Sequence, residues 1–207
     1  MVARGALVAC RSLARRRSVA CPSSAVRKLD VMSKSSDTMA VLDNLLRGRF
    51  HDRLVIVAQQ LFDDAHDDAG DWCAVIAVSG LACDAAGAYA LRCFLELDDQ
   101  RPASQLNAGN TRKIRALLRS KKTINLKPKT QRQFWEALCG DRLARWPDWI
   151  RYLRSVERRN SILHEGMLPS RRPPSRADAI EALEVTRSLH AHLANVMRSE
   201  PLLRQLA

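Results

Sequence analysis

The stretch Trp72-Cys-Ala-Val-Ile-Ala-Val-Ser-Gly-Leu-Ala-Cys83 decides the fold. It is the longest apolar run in the chain, and at about 1.5 Å of helical rise per residue it is too short to span a bilayer. Apolar residues continue to Leu97, so residues 72–97 read as one helix apolar enough to lie at the centre of a bundle. Asp84 falls inside it. A lone acid in such a helix is either satisfied locally or functional.

The neighbouring segments carry helical periodicity as well. Upstream, Leu45, Leu46, Phe50, Leu54, Val57, Leu61 and Phe62 predict a helix over 43–66, and Ala69-Gly70-Asp71 reads as a break before the central helix. Asp63, Asp64, Asp67 and Asp68 around His66 read as a solvated helix end rather than a metal site. Downstream come a polar loop over 98–110, a short basic helix over 111–120, and a Lys-rich connector to Pro128. A helix over 130–139 follows, with Phe134, Leu138 and Trp135 as its inward candidates. Gly140 ends it, and Asp141 is placed to cap the next turn. A further helix starts near residues 146–148 with the stripe Trp149, Ile150, Leu153, Val156 and Leu163. Gly166 and Pro169 close it. Ser175 and Asp178 have capping-box spacing before a last helix that turns Ile180, Leu183, Leu189, Leu193 and Met197 inward. With only 8 Gly and 8 Pro, a turn-rich β-sandwich is disfavoured. The expected fold is an all-α antiparallel bundle of about five helices.

Charge is unevenly spread. The chain holds 34 Lys and Arg against 22 Asp and Glu, a formal net charge of +12, which suggests a polyanionic partner or a basic tail. Residues 101–132 hold 10 basic and no acidic residues, while 53–100 hold 9 acidic and 2 basic ones. This places candidate phosphate-binding cations, which would track RNA if the chain is a ribonuclease, at Arg112, Lys113, Arg115, Arg119, Lys121 and Lys122, with Arg171 and Arg172 in the later loop. Trp135, Trp146 and Trp149 either stack bases or pack in the core. Residues 1–38, with 8 basic and 2 acidic residues, are set aside as a disordered basic extension. They fit a transit-like segment or a start assigned too early, and 39–207 is the helical domain. The six cysteines make no CxxC pair and suggest a reducing, cytoplasmic setting. No metal ligand set, cofactor motif or membrane span is expected. His190 reads as a satisfied core histidine.

The chemistry-bearing stretch is Arg158-Arg-Asn-Ser-Ile-Leu-His-Glu-Gly166, at the C-terminal end of a helix. Asn160 and His164 are four apart and share a face. Arg159 and His164 are roughly 140° apart around the axis, within bending reach of a long Arg. Histidine moves protons near neutral pH, and the Arg fork matches phosphate oxygens. Asn can orient either one. Such a trio suits phosphodiester cleavage without a metal, although a helix-terminal His beside an Arg can also serve only to cap carbonyls.

Arg159-Asn160-x-x-x-His164 resembles the R-x4-6-H signature of HEPN domains (higher eukaryotes and prokaryotes nucleotide-binding). The match is closest over 146–198 and extends by pattern to 43–198. The resemblance implies a metal-independent endoribonuclease of toxin–antitoxin or antiviral-defence type. It implies a homodimer with a composite cleft, and an antitoxin or nucleotidyltransferase as a possible partner. Arg159 would hold the phosphate, His164 would handle the proton, and Asn160 would support both. The ribose 2′-hydroxyl would attack the adjacent phosphate. Asp84 would take the place of an auxiliary acid on an early helix. The alternatives are a non-catalytic module that binds a nucleotide, RNA or a partner protein in the same cleft, and a structural bundle whose basic stretch binds nucleic acid non-specifically.

Overall fold

The structure is a computed structural model that describes residues 50–100, 106–120, 123–201 and 203 of the 207-residue chain. The extension 1–38, the expected helical turns over 43–49, and Lys121 and Lys122 lie outside the described residues. Among those described, six α-helices and one 3₁₀ turn account for the regular structure: α1 (Phe50–Asp63), α2 (Ala69–Gln100), α3 (Ala108–Ser120), α4 (Lys129–Cys139), the 3₁₀ turn Leu143–Arg145, α5 (Trp149–Glu165) and α6 (Arg176–Ser199). The all-α bundle read from the sequence is the observed architecture.

α2 is the central helix and packs against all five others. It is long and apolar enough to cross a membrane by length and composition, but 72% of its apolar window is buried inside the bundle. It starts three residues earlier than the sequence predicts. Ala69-Gly70 does not break the chain, because the Asp68 carboxylate accepts from the Gly70 N–H at 2.6 Å and satisfies a helix-start donor. α3 likewise begins at Ala108 rather than Thr111, where the Asn107 side chain accepts from the Asn110 N–H at 2.8 Å. Asp141 does not cap the following turn. It accepts from the Trp135 indole at 2.7 Å and pairs with His192 at 2.9 Å, tying the end of α4 to α6. Gly140 and Gly166, at φ 73° and 69°, end α4 and α5 in the left-handed conformation.

The core divides into two clusters. One joins α1, the start of α2, the end of α5 and the start of α6 through Ala58, Trp72, Ile76, Ile162 and Leu183. The larger one gathers Leu91, Phe94, Ile114, Trp135, Tyr152 and Leu189. Trp135, Trp146 and Trp149 are all buried, which settles them as core residues. Cys73, Cys83 and Cys93 are also buried, and Cys139 is half-buried; all four are free thiols.

The expected capping box forms at α6. Asp178 accepts from the Ser175 N–H at 2.9 Å and from its hydroxyl at 2.6 Å. Arg172 adds a bidentate pair at 2.7 and 2.8 Å. Burial alone would raise the Asp178 carboxyl, but the hydrogen bonds from Arg172 and Ser175 override it and hold the pKa at about 2. A depressed carboxyl stabilises the fold at any pH above its unfolded value and loses that contribution as pH falls through the folded one. Asp178→Ala should therefore cost about 1–2 kcal/mol near neutrality. It should also flatten the loss of stability between about pH 4 and pH 2. Urea denaturation across that range measures both.

Candidate functional site

α5 carries the motif, and its buried face explains where each residue goes. Trp149, Tyr152, Ser155, Val156, Arg159 and Ile162 face inward at three- and four-residue spacing. This stripe is rotated from the expected one: Ile150 and Leu163 are 55% and 57% exposed. Ile180 on α6 is also exposed. Arg159 lies on the buried stripe because α2 supplies what a guanidinium needs there.

Arg159 is only 7% exposed. Its Nη1 donates to Asp84 Oδ2 and to the Gly80 carbonyl at 3.4 Å. Its Nε and Nη2 donate to Asn160 Oδ1 at 3.2 and 3.0 Å. Asp84, the acid within the apolar middle of the central helix, is thus the ion-pair partner of the motif arginine. Burial pushes the Asp84 carboxyl up, and the charge and hydrogen bond of Arg159 oppose that rise without cancelling it. Its second oxygen, Oδ1, is buried and accepts no hydrogen bond from a described residue.

Gly80 makes the close approach possible. A Cβ there would collide with Arg159 Cδ and stand 2.9 Å from Cγ. Gly80→Ala, a gain in an open helix, should instead push Arg159 off Asp84 and cost about 1–3 kcal/mol by urea denaturation.

Asn160 and His164 are both exposed, as their shared helical face requires. The Asn160 amide orients the guanidinium through its oxygen. His164 sits in the last turn of α5, just before the left-handed Gly166, and pairs with no described residue. The three motif groups therefore do not project together into one solvent-filled groove of a single chain. The cation is held inward, while the amide and imidazole face out.

The basic candidates are dispersed. Arg112 and Lys113 are exposed on α3. Arg115 is paired with Asp99, and Arg119 donates to the Arg115 carbonyl at 3.4 Å. A depression of about 460 Å³ lies beside Arg112, Arg115 and Arg119, with Asp99 in its wall. α3 meets α2 near Leu95, three turns or ~16 Å along the helix from Asp84. Arg172 is committed to Asp178, and Arg171 is exposed at φ 58°.

One cluster is not foreshadowed by any sequence motif. His51 and Asp52 of α1 meet His190 of α6 beside a cavity of about 260 Å³. His190 does satisfy one ring nitrogen locally, at 3.3 Å from the Ala82 carbonyl, but its other nitrogen faces Asp52. Burial lowers the His190 pKa against the opposing pull of the Ala82 carbonyl and Asp52. The adjacent His51-Asp52 pair is the only sequence signal, and it carries no metal-ligand spacing of its own.

Comparison with family models, with curated proteins and with solved structures finds no match to this chain.

Proposed function

We propose that the chain is a HEPN-type endoribonuclease that cleaves RNA by metal-independent 2′-hydroxyl attack. The observation that carries this reading is the state of the motif: a guanidinium fixed by Asp84 and Asn160, with an exposed, unengaged His164 one helical turn beyond Asn160. Of the five guanidinium N–H groups, four point at Asp84, Gly80 and Asn160. The reading requires a phosphate oxygen to reach the remaining Nη2 hydrogen of a side chain that is only 7% exposed.

In an in-line displacement the attacking 2′-oxygen and the departing 5′-oxygen lie on opposite sides of the phosphorus, so one imidazole cannot serve both at once. Two copies of the motif across a homodimer interface supply one for each. One His164 takes the 2′-hydroxyl proton as that oxygen bonds to phosphorus. The His164 of the second copy gives a proton to the departing 5′-oxygen, leaving a 2′,3′-cyclic phosphate and a 5′-hydroxyl. Leu163 and Leu81, exposed next to His164 and Gly80 in sequence, offer apolar surface for such an interface. A toxin–antitoxin or antiviral role in the cytoplasm, with an antitoxin or nucleotidyltransferase partner, accords with this activity.

The test is incubation of the full chain with structured and unstructured RNA in EDTA, with analysis of the new ends. Cyclic phosphate and 5′-hydroxyl termini are expected; failure to cut any RNA offered, in dimeric protein, overturns the proposal. A second reading is favoured by the depth of Arg159. A guanidinium committed to a buried carboxylate is well suited to holding α2 and α5 together in a non-catalytic nucleotide- or partner-binding module. That reading expects saturable binding without turnover, and indifference to His164→Gln.

A further inference from the structure

The cluster of His51, Asp52 and His190 shares no residue with the Arg159 motif, and a role for it stands independently of the ribonuclease reading. His51 is buried, His190 is half-buried, and the Asp52 side chain is 49% exposed. One ligand atom from each lies within 4.8 Å of the other two. His51 Nε2 stands 3.5 Å from Asp52 Oδ1, and His190 Nδ1 stands 3.8 Å from the same oxygen. Ligand atoms on a tetrahedral zinc at 2.0–2.1 Å stand about 3.3–3.4 Å apart. The two edges that end on Asp52 are thus within about 0.5 Å of a metal-bound arrangement, and the third, between the two rings, is under 4.8 Å. We propose that His51, Asp52 and His190 form a binding site for a divalent transition metal of the zinc type, with the fourth position open to water.

One of the two imidazoles has the outer partner that such a site uses. The His190 Nε2 lies 3.3 Å from the Ala82 carbonyl. A carbonyl only accepts, so this contact puts the ring hydrogen on Nε2 and the lone pair on Nδ1, towards Asp52. Histidine ligands are oriented in this way by their outer partners. The His51 ring packs on Tyr89 at 4.6 Å and on His190 at 5.4 Å between centroids, which limits its rotation. Two imidazoles and one carboxylate are a donor set that suits zinc and its neighbours rather than magnesium or calcium. The adjoining cavity of about 260 Å³ leaves room for a water or small anion, and Arg198 lines it. The exposed Asp52 gives an ion a route in. Because the ligands come from α1 and α6, a bound ion would clamp the first described helix to the last.

The experiment uses the full chain, stripped with a chelator and titrated with Co²⁺ and then Zn²⁺. One equivalent of Co²⁺ with the visible bands of a low-coordinate site is expected, displaced by Zn²⁺, together with a rise in melting temperature. Asp52→Asn and His190→Gln should each weaken binding at least about tenfold while circular dichroism shows an intact bundle. Asp52→Asn decides the matter if His190→Gln fails to fold, since its carboxylate is half-exposed. Absence of stoichiometric binding, or binding that Asp52→Asn leaves unchanged, overturns the proposal. The latter result would assign the ion to other groups, such as the acidic turn around His66.

Discussion

Asp84→Leu should destabilise the fold by about 3–5 kcal/mol, more than Arg159→Met, although each removes half of the same ion pair. The asymmetry comes from proton chemistry. The guanidinium cannot shed its charge at any working pH, so without Asp84 it stays a buried, uncompensated cation. Asp84 without Arg159 can take up a proton, towards which burial already pushes it. A carboxyl raised in the folded state makes that state the better proton binder, so its penalty fades as pH falls through the folded pKa. Arg159→Met should therefore recover stability as the pH drops from neutral towards about 4, and Asp84→Leu should not. The double variant, with both charges gone, should be more stable than Asp84→Leu alone, giving a coupling of about 2–3 kcal/mol in urea denaturation. Equal, small effects of both single changes would mean that solvent reaches the pair.

The pair lies near the boundary between the two apolar clusters. On α5, Arg159 falls between Val156 of one apolar cluster and Ile162 of the other; on α2, Asp84 follows Cys83, the first residue of the larger cluster, about two turns after Ile76 of the smaller. On α6, Thr186 shares its one hydroxyl hydrogen between the carbonyls of Ala182 at 2.8 Å and Ser79 at 3.2 Å, while the Cys83 thiol donates to it at 3.4 Å. A polar layer thus crosses the middle of the bundle. Hydrocarbon on either side excludes water from it, which strengthens the satisfied contacts and makes the orphaned oxygen of Asp84 costly. This layer fixes the register of α5 against α2, and with it the position of His164 at the end of α5.

Much of this is legible in the sequence, and the departures have identifiable causes. The long apolar run of α2 and the capping box of α6 are local signals and appear where expected. The stripe of α5 is rotated from the expected one because apolar periodicity turns only apolar residues inward. It counts Ile150 and Leu163 and passes over Tyr152, Ser155 and Arg159. Only the presence of Asp84 and Gly80 on α2 makes an inward Arg stable, and that is a tertiary fact. The prominence of Arg159, Asn160 and Asp84 is readable along the chain, but their division into buried and exposed groups is not. The basic stretch has the same fault: Arg115 and Arg172 have acidic partners, Asp99 and Asp178, that composition counts cannot pair with them. His51 and His190 come from nearly opposite ends of the described chain, so no spacing rule could join them.

His164→Ala provides the sharpest separation of structural from chemical roles. The side chain is exposed and pairs with no described residue, so its removal should shift stability by no more than about 0.5 kcal/mol. If the ring transfers protons, the same change should cut RNA cleavage by about 10²–10⁴-fold, since nothing nearby replaces it. Arg159→Ala cannot give this separation. It removes a buried ion-pair partner along with the proposed phosphate contact, so lost activity would be confounded with lost folding. Cleavage should be measured for wild type and His164→Ala at equal folded concentration, with melting curves recorded on the same samples. A large loss of rate at an unchanged melting temperature is expected. Retained cleavage by His164→Ala would remove the imidazole from the chemistry, leaving Arg159 and Asn160 as parts of the polar layer that joins α5 to α2.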